Sequence, residues 1–275
     1  MLDIIKVIIL GIVQGITEWL PISSTGHLIL IQEFMNLTIS DEFLEMFNVV
    51  IQLGSIIAVV VLFFHKLNPF SPQKSQKQKM ATVHLWIKVA IASIPAAVIG
   101  FLLDDWIDEH FFNPYMVAVM LIFYGVIFII VENKRKGVTP RITKLAQITV
   151  QTAILIGCFQ ALALIPGTSR SGATIIGALI LGTARGVAAE FSFFMAIPVM
   201  FGASLLKVVR FGFDFTGMEI FLLLLGSVVS FGVSLVAIKF LLGYVRKNDF
   251  KIFGYYRIIL GILLLLYFGI RAILA

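Results

Sequence analysis

Pro166-Gly167-Thr168-Ser169-Arg170-Ser171 breaks off an apolar run that starts at residue 148, and Pro21-Ile22-Ser23-Ser24-Thr25-Gly26-His27 breaks off another that starts at residue 4. Each run (148–165 and 4–20) ends at a proline, which removes a backbone donor and stops a helix. A short apolar stretch follows each polar string, at 175–181 and at 28–34. A helix needs about 20 apolar residues to cross a bilayer, so neither stretch reaches across. Both segments therefore predict re-entrant helix hairpins, which enter the membrane, turn at the polar string and leave on the side they entered.

Around these two segments lie six unbroken apolar runs long enough to cross: 45–64, 85–103, 115–131, 191–209, 220–242 and 252–274. Composition agrees with a membrane protein. Hydrophobic residues make up 60% of the 275 residues, charged residues 13%, and mean hydropathy is +1.04. A soluble domain holds about 25% charged residues. The fold class expected is an all-α polytopic membrane protein, six transmembrane helices plus two hairpins in a single domain over 1–275. Asp3 and Lys6 give no basic leader, and no small-residue cleavage site follows, so the first run does not read as a signal peptide. Cys158, the single cysteine, is expected to be a small buried packing residue.

Loop charge sets the expected orientation. Lys66, Lys74, Lys77 and Lys79 follow the first crossing, Asp104, Asp105, Asp108 and Glu109 the second, and Lys134, Arg135, Lys136, Arg141 and Lys144 the third. Arg246, Lys247 and Lys251 follow the fifth; Lys207, Arg210 and Asp214 after the fourth are weakly basic and depart from the pattern. Basic loops face the cytoplasm, which puts both termini outside. The net charge of +6 thus reports orientation, and no nucleic-acid partner is expected. The first hairpin then enters from outside and the second from inside, so their polar tips can meet near the midplane.

The two hairpins are related. Gly11, Gln14, Ser23 and Gly26 recur at one constant offset as Gly157, Gln160, Ser169 and Gly172, while Pro21/Pro166 and Glu45/Glu190 match one residue out of step. Each half is a hairpin plus three crossings, and an odd number of crossings inverts the second copy. An inverted-topology repeat is expected, repeat one over about 1–136 and repeat two over about 145–275. Such repeats with broken helices are frequent in transporters, which makes a carrier of a lipid phosphate the rival to an enzyme.

Charge at membrane depth is expensive and marks function. Glu18, His27 and Arg170 all sit at the hairpin tips beside many hydroxyls. The planar fork of Arg suits phosphate oxygens, and the start of a half-helix offers free N–H groups and the positive end of its dipole. An Arg170–Glu18 pair serving only as structural glue is the bland alternative, against which the surrounding serines argue. His65, His84 and His110 read as interfacial or solvated, Lys88 as snorkelling to the cytoplasmic edge, and Arg185 with Glu190 as a supporting pair.

At Gln14-x-x-x-Glu18, Pro21-x-Ser23-Ser24-Thr25-Gly26-His27 and Pro166-Gly167-x-Ser169-Arg170-Ser171-x-x-Thr174 the sequence resembles the bacterial undecaprenyl-diphosphate phosphatase family of the bacitracin-resistance type. The resemblance covers nearly the whole chain. It implies removal of the terminal phosphate of undecaprenyl diphosphate in the bacterial inner (plasma) membrane, with membrane lipids around the chain and a homodimer as a candidate assembly. It further implies a divalent cation (Mg or Ca) and a site reached from the outer face. Glu18, Ser24, His27 and Arg170 match catalytic positions; Ser23, Thr25, Gly167, Ser169, Ser171 and Thr174 match phosphate-binding ones; Gln14 and Glu18 match a metal site. Many members carry a second glutamate where this chain has Gln14. Two versions of the chemistry stay open: attack by Ser24 with His27 as its base, or attack by His27 or by a water it activates. The phosphatidic-acid phosphatase superfamily shares Thr25-Gly26-His27 and Ser169-Arg170 but needs a histidine after the latter, and none follows.

Overall fold

A computed structural model describes residues 2–33, 35, 40–212 and 214–274, with the backbone alone for Leu2, Glu33, Asp41, Asp104, Asp105 and Asp108. The end of the 28–34 stretch, at Phe34, lies outside the described residues. The described chain is helical, with no strand beyond an isolated bridge between Ile142 and Thr183.

The first broken run forms α1 (Leu2–Thr17) and α2 (Ser24–Glu33); the second forms α7 (Val150–Ala161), a 3-10 turn and α8 (Arg170–Ile180). The unbroken runs form α3 (Asp41–Leu62), α5 (Gln76–Phe111), α6 (Pro114–Lys134), α9 (Arg185–Phe211), α10 (Gly217–Val245) and α11 (Lys251–Leu274). These six are long and apolar enough to cross a membrane. A short α4 (Phe64–Leu67) follows α3. Local chemistry sets several helix starts. Asn113 accepts the N–H of Met116 at 2.8 Å ahead of Pro114, and Thr216 with Glu219 forms a reciprocal capping box.

Two loop expectations are corrected. Lys77 and Lys79 stand in the first turns of α5, and its far end runs on through Asp104, Asp105, Asp108 and Glu109 to Phe111. A helix satisfies its own backbone as it leaves the apolar region, so the acidic stretch needs no loop. Cys158 is exposed, not buried. Its neighbour Gly157 makes the close contact, since a Cβ there would collide with Ala92 O of α5. One residue on, the helix has turned about 100° away from α5. His65, His84 and His110 are exposed, and Lys88 reaches the Ala146 carbonyl.

Close approach of backbones organises the interior, as expected where lipid supplies no hydrophobic drive between helices. A Cβ on Gly125 of α6 would lie 2.7 Å from Gly254 O of α11, and one on Gly254 would lie 2.8 Å from Gly125 O. α1 rests on α10, and α7 on α5. α3 and α9 run antiparallel and are fastened at both ends. Glu45 near the start of α3 pairs with Lys207 near the end of α9, and Lys66 just beyond α3 pairs with Glu190 near the start of α9 at 2.8 Å. α6 and α11 are likewise antiparallel: the Tyr115 hydroxyl donates to Phe268 O (3.2 Å), and the Phe250 N–H donates to Glu132 (3.0 Å). Glu190 is thus taken by Lys66. The expected Arg185–Glu190 pair is replaced by a two-pronged contact of Arg185 with buried Glu132, at 2.9 and 2.6 Å. A carboxylate inside the bundle draws the nearest fork of donors.

Candidate functional site

The two breaks meet. Ser23 and Ser169 sit immediately before α2 and α8 with φ of +72° and +70°, the two non-glycine residues of positive φ among those described. Left-handed backbone costs an L-residue on the order of 1–2 kcal/mol. Part is offset by capping: the Ser23 Oγ accepts the Gly26 N–H at 3.4 Å, and the Ser169 Oγ accepts the Gly172 N–H at 3.2 Å. Two helix N-termini, each with unpaired N–H groups, are thereby turned into one region. Gly167 (φ +90°) lets the second break approach α6, because a Cβ there would lie 2.5 Å from Val117 O.

Glu18 is the hub. Its Oε1 accepts from Arg170 Nη2 at 3.2 Å and Nε at 3.4 Å. Its Oε2 accepts from Gln14 Nε2 at 3.0 Å and from the Ser24 hydroxyl at 3.1 Å. Arg170 also donates to Ser192 O at 2.8 Å and lies over the Trp19 ring. The Ser171 hydroxyl is within reach of the Glu18 and Leu20 carbonyls, and Ser169 Oγ is 3.3 Å from Ser171 Oγ. The structure therefore brings Gln14, Glu18, Ser24, Arg170, Ser169 and Ser171 together across the two breaks. Thr25 is half-buried on α2. Thr174 points elsewhere: its hydroxyl is fully buried against the Arg170 carbonyl (2.9 Å) and Ser192 Oγ (2.6 Å).

Ser24 and His27 share a helix but not a hydrogen bond. Ser24 donates to Glu18, while the His27 ring lies between Ser23 O and the Tyr256 hydroxyl, each 2.7 Å away. In the version with His27 as the base for Ser24 the two side chains would meet; here each has another partner.

A family model described as bacitracin resistance protein BacA matches residues 7–263. The chain belongs to the BacA family. Over 275 residues, all of this chain and 99% of the relative, it is 59% identical to an undecaprenyl-diphosphatase of Desulfitobacterium hafniense. An undecaprenyl-diphosphatase of Acetivibrio thermocellus is 61% identical over 98% of both chains. One of Enterococcus faecalis is 60% identical over 95% of this chain and 96% of its own.

Two residues of this BacA-family site escaped the sequence reading. Arg257 of α11 is completely buried; its Nη2 donates to Gly167 O (2.8 Å) and Thr168 O (2.9 Å), and its Nη1 to Pro21 O (3.3 Å). It clasps the carbonyls of both breaks at once. Its neighbour Tyr256 holds His27. The signal for Arg257 was available, since its guanidinium lies inside the apolar run 252–274, as costly there as that of Arg170. Tyr256 carried no signal, because it stands beside Tyr255 near a helix end, where tyrosines read as interfacial side chains.

As for a cation, the buried Oε1 of Gln14 has no hydrogen-bond partner and lies on the amide whose nitrogen holds Glu18. An unfilled acceptor oxygen next to a carboxylate suits a hard cation that takes its other ligands from phosphate and water.

Proposed function

We propose that this chain is an undecaprenyl-diphosphatase. It removes the terminal phosphate of undecaprenyl diphosphate, leaving undecaprenyl phosphate and inorganic phosphate, so that the lipid carrier returns to cell-wall synthesis and the cell gains bacitracin resistance. The observation that carries this reading is the convergence of Ser24, Glu18 and Arg170 where two helix N-termini meet. Identity of 59–61% to undecaprenyl-diphosphatases over nearly full length supports the same reaction.

Glu18 is the base for Ser24. As the Ser24 oxygen bonds to the terminal phosphorus, its proton passes to Glu18, and the bond from phosphorus to the bridging oxygen breaks. Undecaprenyl phosphate leaves, and a phosphoserine remains for water to hydrolyse. Arg170, 3.2 Å from Glu18, exchanges the carboxylate for equatorial phosphate oxygens. Fixed donors aimed at developing charge are the main catalytic resource in phosphoryl transfer. The N–H groups of α2 and α8 and the hydroxyls of Ser169 and Ser171 complete the phosphate cradle; Ser23, Thr25 and Gly167 shape it, and Thr174 braces α8 against α9. A divalent cation, Mg or Ca, fits Gln14 Oε1 and Glu18, where it would neutralise diphosphate charge.

The chain is read as a single multi-pass domain of the bacterial plasma membrane, its site open to the outer face, built as re-entrant hairpins within an inverted repeat. Four features support this architecture. The equivalent helices α3 and α9 are antiparallel, as are α6 and α11. The equivalent helices α1 and α7 each rest on a span of the opposite half. Gly11 and Gly157, matched by the repeat offset, mark those two contacts, and the matched serines share a positive φ.

The test is phosphate release from undecaprenyl diphosphate by purified protein in detergent with magnesium, beside Arg170→Ala. Release that Arg170→Ala abolishes is expected. A folded wild-type protein that releases none would refute the enzyme reading, because a carrier has nothing to transport where no membrane divides two sides.

A further inference from the structure

Ser192, on α9, holds Arg170 at both ends. Its carbonyl oxygen accepts from Arg170 Nη1 at 2.8 Å. Its hydroxyl lies 2.6 Å from that of Thr174, which donates to the main-chain carbonyl of Arg170 at 2.9 Å, with that of Ser171 at 3.2 Å. The proton positions follow. A carbonyl only accepts, so the single Thr174 proton goes to these carbonyls, and the Ser192 hydroxyl is the donor in the 2.6 Å contact. Among the described residues that contact is the one hydrogen bond of the Ser192 hydroxyl. Both side chains are buried, where an unmade bond is costly. The next residue of α9 adds a third contact. The Phe193 ring meets Trp19 edge-on, centroids 5.1 Å apart, and the Trp19 ring lies 5.7 Å from the Arg170 guanidinium. In the first half of the chain Ser24 stands where Arg170 stands in the second, and Leu28 where Thr174 stands, so this clamp accompanies the arginine alone.

We propose that Ser192 is a positioning residue for the reaction, fixing Arg170 so that it exchanges Glu18 for phosphate without losing its direction. The assignment rests on the reading above of Arg170 as the group that takes the equatorial phosphate oxygens. A long arginine side chain has many rotamers to lose. Here its main chain and its guanidinium are both tied to one residue of α9, which sets the length and the direction of its reach. The bond to Ser192 O is also the shortest of the guanidinium contacts, 2.8 Å against 3.2 and 3.4 Å to Glu18. An arriving phosphate therefore displaces the carboxylate from the Nε/Nη2 edge, and Nη1 stays on Ser192 O as the pivot. The freed edge carries two parallel N–H groups, the geometry that matches two oxygens of one phosphate. Ser192 makes and breaks no covalent bond; it acts through Arg170.

The experiment pairs initial-rate phosphate release in detergent, across a range of undecaprenyl diphosphate, with nitrogen NMR of isotopically labelled arginine side chains. The samples are wild type, Ser192→Ala, Thr174→Val and the double variant, each also followed by thermal unfolding; the Arg170 signal is identified by its loss in Arg170→Lys. Each single variant should lower kcat on the order of 10-fold with KM little changed, the pattern of an interaction felt in the transition state. The double variant should fall no further, since both changes break one chain of contacts. Rotation of the Arg170 guanidinium, slow in wild type, should quicken in every variant. A merely structural serine would give rates that track the loss of folded protein and an Arg170 signal unchanged from wild type. That result, or wild-type kcat in Ser192→Ala, overturns the assignment. Thr174→Val keeps the side-chain shape and removes the same link, so it carries the test alone if Ser192→Ala does not fold. A folded wild type that releases no phosphate, with the Arg170 signal still quickened in the variants, would instead refute the enzyme reading while the clamp stands.

Discussion

Replacing Arg257 by methionine should cost far more activity than stability. Its two short bonds, to Gly167 O and Thr168 O, come from a charged donor, and such bonds contribute about 1.5–3 kcal/mol each. The contacts at 3.3–3.4 Å with Pro21, Met120 and Leu121 add little. Against roughly 3–6 kcal/mol of bonding stands the penalty of several kcal/mol for burying the guanidinium. An apolar side chain of similar length never incurs that penalty, so global stability should fall by only about 0–2 kcal/mol. Local order is different. The Gly167 and Thr168 carbonyls lose their donor, and the tie between the two breaks is left to Arg170 and Ser171. If about 3 kcal/mol of positioning is lost from the transition state, kcat/KM falls on the order of 100-fold. Arg257→Lys should recover part of this, since an ammonium offers donors from one point where the guanidinium offers a fork. The assay is initial-rate phosphate release in detergent across a range of undecaprenyl diphosphate, with thermal unfolding of the same samples. Wild-type kcat/KM in a folded Arg257→Met would refute the clasp, as would a loss of activity fully matched by loss of folded protein.

Chelation should suppress phosphate release, and Gln14→Glu should lower the magnesium concentration for half-maximal rate, because a second carboxylate replaces a neutral oxygen; an unchanged magnesium titration would count against Gln14 as a ligand. The ends of α3 and α9 should be joined by a short thiol-specific crosslinker in Glu45→Cys/Lys207→Cys built on Cys158→Ala, which removes the exposed native thiol; Glu45→Cys paired with Glu190→Cys should not crosslink, and the reverse result would refute the antiparallel arrangement. At Ser169, glycine relieves the left-handed strain while alanine keeps it and loses the cap, a loss of about 1 kcal/mol. Thermal unfolding should therefore rank Ser169→Gly above Ser169→Ala, and the opposite order would deny that the strain is real.

By itself the sequence determined the features that local rules govern. Length and hydropathy set six crossings because a bilayer demands about 20 apolar residues per helix. Pro21 and Pro166, each followed by serines and glycine, set the two breaks, whereas Pro95 and Pro198, flanked by apolar residues, stay inside α5 and α9. Glu18, Ser24, His27 and Arg170 drew attention because charge and hydroxyl groups at such depth need partners. Where local rules were silent, the sequence reading went astray. α5 ran past its acidic end, and Cys158 turned outward because Gly157 was the contact. Arg185 took Glu132 in place of Glu190. Only tertiary structure decided the proton partners. Glu18 and Arg170 are 152 residues apart, and His27 and Tyr256 are 229 apart. Spacing on α2 makes Ser24 and His27 neighbours, but the direction of a hydroxyl or an imidazole proton depends on which acceptor is nearest in space. At Ser24 that acceptor comes from the end of α1, and at His27 the partner comes from α11, so no pattern within either helix encodes the choice.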